Sequence, residues 1–154
     1  MAGRVTAASP VVAARVDVET NSWQGAIRAA CSPLVDAGAL EPRYAERCIA
    51  TVQEHGPYIV LAPGIALAHA RPEDGVIRLA LSAITLANPV AFGHPQNDPV
   101  DVVFVFGSPD KQAHIGMLAA LARRLLAGLT DALRAAPSDG AAAALLEEVA
   151  DDGP

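Results

Sequence analysis

The sequence predicts an α/β sandwich: a single domain with a mixed central β-sheet flanked by helices on both faces. Three observations predict it. Val100–Phe106 reads VDVVFVF, a nearly unbroken apolar run of the kind a central strand covered on both faces needs. Helical patterns stand on either side of a block of strand-like segments in the middle of the chain. The chain has 154 residues, a length that fits one domain with a real core.

The elements follow in order. Val11–Val18 suits a short edge strand. Asn21-Ser22 caps a helix from Trp23 to Ala30, with Trp23, Ile27 and Ala30 on one face. Pro33 is expected to interrupt it, with Leu34–Ala37 continuing before Gly38. Tyr44, Cys48, Ile49 and Val52 make the stripe of a second helix, which Pro42 opens and Gly56-Pro57 stops. Tyr58–Ala62 and Ile65–Leu67 read as short strands around a Pro63-Gly64 turn. A second turn, Arg71–Gly75, precedes a long β-like stretch, Val76–Leu86. Asn88–Pro99, with its prolines, is expected to be a surface loop. Ser108-Pro109-Asp110 opens the next helix, with Ser108 as N-cap and Ile115, Leu118, Leu121, Ala122 and Leu125 as its buried face. A short helix over Leu129–Ala135 and a last one over Ala141–Val149 complete the domain. Its core is placed at about residues 11–150, with residues 1–10 and 151–154 flexible.

Composition excludes several functions. With 11 Lys+Arg against 17 Asp+Glu the net charge is −6, and Lys111 is the only lysine. Such a chain has no field for holding a phosphate backbone, so nucleic acid is not an expected partner. No apolar run is long enough to span a membrane, and the first twenty residues have no signal-peptide core, which makes the cytoplasm the expected location. The 33 alanines, set against six aromatic residues, leave Val, Leu, Ile and Ala to fill the core. Cys31 and Cys48 form no CxxC pair and are expected as reduced, buried thiols. No GxSxG, GxxxxGK[ST] or GxGxxG sequence is present, so neither a serine-hydrolase elbow nor a nucleotide loop is visible.

The histidines carry the chemistry. There are four, His55, His69, His94 and His114. None is spaced for a shared helix face, so a metal would need tertiary convergence, and neither metal nor cofactor is expected. His69 ends a short apolar strand between two turns, beside the small residues Ala68 and Ala70. That position suits an approachable reactive imidazole, and it equally suits a half-buried strand-end histidine. His114 lies about one turn into the helix after Ser108, near N–H groups that favour anions and disfavour imidazolium. His55 reads as a helix C-terminal cation and His94 as an exposed loop residue.

A resemblance then separates these readings. Gly56–Val76, GPYIVLAPGIALAHARPEDGV, resembles the active-site segment of the type-2 enzyme IIA domains of the bacterial phosphoenolpyruvate-dependent sugar phosphotransferase system. That family carries a motif GIA-apolar-P-H-[GA]. Gly64–Ala70 matches it except that Ala68 stands for proline. The longer pattern is closest to the ascorbate-type branch. Trp23–Arg28 with Pro33-Leu34-Val35 is similar to that branch's first helix, and His114–Ala122 to the family's second-histidine helix.

The resemblance implies a phosphoryl carrier, a phosphotransferase that accepts phosphate from HPr on a histidine and passes it to a IIB domain. That IIB domain uses a cysteine in this branch and serves the membrane component IIC. His69 would be the nucleophile. His114 would bind a phosphoryl oxygen or orient the ring, and Arg71 is a candidate clamp. Leu67, Ile115 and Met117 would supply an apolar docking patch. An arginine upstream of the motif in other branches has no counterpart among Gln53, Glu54 and His55. A free-standing regulatory module, phosphorylated on His69 and signalling to a partner protein, is the alternative function. A homodimer is left open.

Overall fold

The computed structural model describes residues 10–152. The elements are β1 (Val11–Val18), α1 (Trp23–Asp36), α2 (Arg43–His55), β2 (Val60–Ala62), β3 (Ile65–Ala68), a 3-10 turn (Pro72–Asp74), β4 (Ala80–Val90), β5 (Val100–Gly107), α3 (Lys111–Leu126), α4 (Leu129–Ala135) and α5 (Asp139–Asp152). The five strands form one sheet in the order β1-β4-β5-β3-β2. β1 runs parallel to β4, and β3 runs parallel to β5. The β4–β5 and β2–β3 pairs are antiparallel, so the sheet is mixed.

β5 sits in the middle, and its side chains alternate between two cores. Val103 and Val105 face α1 and α2, packing with Ile27, Leu34, Cys48 and Ile49. Val102, Phe104 and Phe106 face α3, α4 and α5, packing with Met117, Leu121, Leu133 and Leu146. Helices therefore cover both faces, as the apolar run VDVVFVF requires. Both cysteines are free and buried, as expected.

Several expectations are corrected. Pro33 lies inside α1 without breaking it. Its missing N–H costs one bond near the end of the helix, while Leu34 beyond it is fully buried. The long strand begins at Ala80 instead of Val76. Val76 bridges to Leu40, and the Ile77 and Arg78 N–H groups donate to Ala39, so this stretch is held by the α1–α2 connection. The strand then runs on to Val90, so the loop is shorter than expected. Asp110, not Ser108, caps α3: its carboxylate accepts the Ala113 N–H at 2.8 Å, while the Ser108 hydroxyl bonds the Asp110 carbonyl. Of the face expected to be buried on α3, Leu121 is buried and Leu118 and Leu125 pack partly against the core, where Met117 and Ala120 join them, while Ala122 is exposed and Ile115 is 61% exposed. The last helix extends through Asp152. Residues 1–9 and 153–154, most of the ends read as flexible, lie outside the described residues.

The turn into β3 needs its glycine. Gly64 has φ +79°, and a Cβ there would stand 2.8 Å from Arg134 Nη2 and 3.0 Å from Asp101 Oδ1. Because β3 and β5 are parallel, they deliver their C-terminal ends, and the segments that follow, to the same end of the sheet. Crevices at such strand ends are where open α/β sheets bind their ligands.

Candidate active site

His69 follows β3 directly, and α3 follows β5 after a short turn. The two histidines read as site residues thus arrive at one end of the sheet. They line a single cleft of about 600 Å³, together with Arg47, His55, Tyr58, Arg71, Phe106 and Ser108. His94 belongs to a distant loop. There its Nδ1 accepts the Gln96 and Asn97 N–H groups, and its side chain is half-buried instead of exposed.

His69 is held by its own strand end. Its Nδ1 lies 3.1 Å from the Leu67 carbonyl oxygen. A carbonyl only accepts, so this contact requires the proton on Nδ1 and puts the ring's lone pair on Nε2. The Tyr58 ring meets the imidazole edge-on, with centroids 5.8 Å apart. His114 rests against Phe106 in the same manner, at 4.9 Å and 66°. Partial burial lowers the pKa of His114, and the nearby His69 lowers it further. Both effects favour the neutral imidazole at His114. The start of α3 offers less to an anion than a free helix end, because the Asp110 carboxylate already takes one of its N–H groups.

Positive charge comes from two arginines that share one carboxylate. Asp74, only 7% exposed, accepts the Arg71 backbone N–H at 3.0 Å and Arg47 Nε at 3.2 Å. Arg71 Nε lies 3.8 Å from Asp74 and also 3.8 Å from Glu73. Burial pushes the Asp74 carboxyl up, but the Arg71 N–H and the Arg47 guanidinium together hold it below its ordinary value. Arg71 thus lines the cleft, with a 70% exposed side chain held by two long ion pairs. Arg47 escaped the sequence reading. It is adjacent to Cys48 in the buried α2 stripe, so a helical projection would have placed it at the edge of that stripe. Of the apolar patch read from the sequence, Leu67 and Met117 are buried. Ile115 is exposed, and Tyr58, 44% exposed, stands beside His69.

Among the described residues, no group of three or more His, Cys, Asp or Glu is placed to hold a metal ion. No helix among them is long and apolar enough to cross a membrane. Fold and cleft together define an α/β sandwich that gathers two imidazoles and two arginines at one sheet end, a setting suited to an oxyanion. The chain belongs to the family described as phosphoenolpyruvate-dependent sugar phosphotransferase system, EIIA 2, which it matches over residues 12–149. It is 41% identical to the ascorbate-specific PTS system EIIA component of Shigella boydii over 100 residues, 65% of each chain. It is 40% identical to the protein of the same name in Escherichia coli K12 over the same share. The match thus spans about 65% of the length of these curated relatives. The mannitol-specific cryptic phosphotransferase enzyme IIA of Escherichia coli superposes with a TM-score of 0.75 at 27% identity, covering 90% of this chain and 92% of that one. Escherichia coli IIA mannitol, 22% identical, shares the fold with a TM-score of 0.70.

Proposed function

We propose that this protein is a cytoplasmic phosphoryl carrier of an ascorbate-type sugar phosphotransferase system, with Nε2 of His69 as the acceptor atom. HPr is the donor, and the cysteine of a IIB domain is the next acceptor, which in turn serves the membrane component IIC. The observation that carries this reading is the 3.1 Å contact between His69 Nδ1 and the Leu67 carbonyl. It orients the ring and keeps one nitrogen lone pair free for attack.

The step is a displacement at phosphorus. The Nε2 lone pair forms a new N–P bond while the bond from phosphorus to the donor nitrogen breaks, and the donor keeps that electron pair. His69 becomes cationic as it bonds, and its Nδ1–H stays in place, donating to the Leu67 carbonyl. Little further covalent chemistry is required, since phosphoryl transfer depends mainly on positioning and charge compensation. His114, neutral and lodged against Phe106, donates to a phosphoryl oxygen. Arg71 swings onto the incoming group, and Arg47 adds a second cation from α2. Transfer onward is the same displacement with the IIB thiolate as nucleophile.

The test is intact mass after incubation with phosphoenolpyruvate, enzyme I and HPr. One acid-labile phosphoryl adduct on the wild type, absent from His69→Ala and discharged by a IIB domain, is the expected result. An adduct retained by His69→Ala would overturn the assignment.

A further inference from the structure

Tyr44 takes no part in the chemistry above, yet it is among the largest fully buried side chains of the protein. It projects from α2 between two strand ends. Its hydroxyl donates to the Phe106 carbonyl at 2.8 Å and accepts the Ala70 N–H at 2.9 Å. A contact of 3.3 Å to the Ala70 carbonyl is too long to compete for the single proton. Ala70 is the residue after His69. Phe106 carries the ring against which His114 rests. The β3–β5 ladder pairs residues up to Ala68 with Val105. Beyond it, the Tyr44 hydroxyl bridges the two chains where the histidines leave the sheet.

We propose that Tyr44 is a positioning residue for the phosphoryl transfer: its hydroxyl sets His69 and His114 relative to each other by tying the peptide after His69 to the strand end under His114. The proposal rests on the reading of the two histidines given above.

Three physical points support it. The hydroxyl makes both bonds at once, so neither strand end can shift without breaking one. Burial pushes the Tyr44 phenol well above its ordinary pKa, so it stays a donor at every working pH. Removing the oxygen leaves the Ala70 N–H and the Phe106 carbonyl without this partner, and unpaired buried groups of this kind drive local rearrangement. Transfer between nitrogen atoms is sensitive to such shifts; a displacement of about 1 Å can cost on the order of a hundredfold in rate.

The test compares Tyr44→Phe with Ile49→Val in the full chain. Ile49 is buried on the same helix but makes none of these bonds. Three quantities are read: the thermal midpoint, the single-turnover rate of phosphoryl acceptance from phospho-HPr, and the 15N–1H signals of the two imidazoles. Both variants are expected to lower the midpoint. Only Tyr44→Phe is expected to move the His69 and His114 imidazole signals and to slow acceptance by about tenfold or more at saturating HPr, with half-saturation unchanged. Wild-type imidazole signals in Tyr44→Phe would overturn the proposal, as would a rate loss in Ile49→Val matching its loss of stability. If the wild type accepts no phosphoryl group, the carrier reading fails. The imidazole signals then decide the positioning role alone: displaced in Tyr44→Phe only, they uphold it, and otherwise they overturn it. If Tyr44→Phe does not fold, hydrogen exchange of the wild-type Ala70 amide decides. Core-level protection upholds the bridge, and exchange at the solvent rate overturns it.

Discussion

Replacing Asp74 by Asn separates the charge on this residue from its shape. The carboxylate accepts two bonds, from the Arg71 N–H at 3.0 Å and Arg47 Nε at 3.2 Å. An Asn side chain has the same size but offers one acceptor, and its NH2 group must face a donor. Hydrogen bonds to a charged group contribute about 1.5–3 kcal/mol each. The Arg47 side chain is 51% exposed, so water compensates part of that loss. The net cost at pH 7 is therefore about 1–2 kcal/mol, a drop of about 2–8 °C in Tm for a chain of this size. The pH dependence carries a definite sign. Asp74 titrates below its ordinary value of 3.8 when folded. Its contribution is thus fully present above that value and is lost as pH falls through the folded pKa. Thermal melts of wild type and Asp74→Asn at pH 7, 5 and 3 should show a gap that is constant between pH 7 and 5 and narrows by pH 3. Equal midpoints at pH 7, or a gap that widens on acidification, would refute the reasoning.

The site supports two further expectations. His114→Ala should still accept phosphate on His69, at a rate reduced by about tenfold to a hundredfold, because it removes one donor to the phosphoryl oxygens and leaves the nucleophile intact; stopped-flow or quenched-flow labelling reads this, and an unchanged rate would remove His114 from the reaction. His114 should also titrate below the ordinary histidine value of 6.5 in the free protein and move upward once His69 carries a phosphoryl group, since a neighbouring dianion favours imidazolium; NMR titration of both forms checks the direction.

The elements whose burial follows from composition were legible in the sequence. VDVVFVF has the unbroken apolar character of a covered central strand, and α2 is marked by Tyr44, Cys48, Ile49 and Val52 at helical spacing. Errors fell where a local signal competed with a tertiary contact. Pro33 has a strong breaking tendency, but Leu34 is buried beyond it. Ser108 is a good capping residue, but its hydroxyl bonds the Asp110 carbonyl and leaves the cap to Asp110. Ile115 lies on the exposed side of α3 because Met117, Ala120 and Leu121 take the side that faces the sheet. His69 and His114, singled out by strand-end and helix-start position and assigned roles by the motif resemblance, share one cleft with Arg71. Arg47 and the bridging role of Tyr44 were not found. Both depend on what α2 meets across space, which no periodicity along the chain encodes.

The central claim is that Nε2 of His69 accepts the phosphoryl group, and NMR of the phosphorylated protein tests it most directly. One 31P signal coupled to an imidazole Nε2, assigned to His69, with Nδ1 still protonated against the Leu67 carbonyl, is the predicted result. Phosphorus on Nδ1 of His69, or on His114, would contradict it.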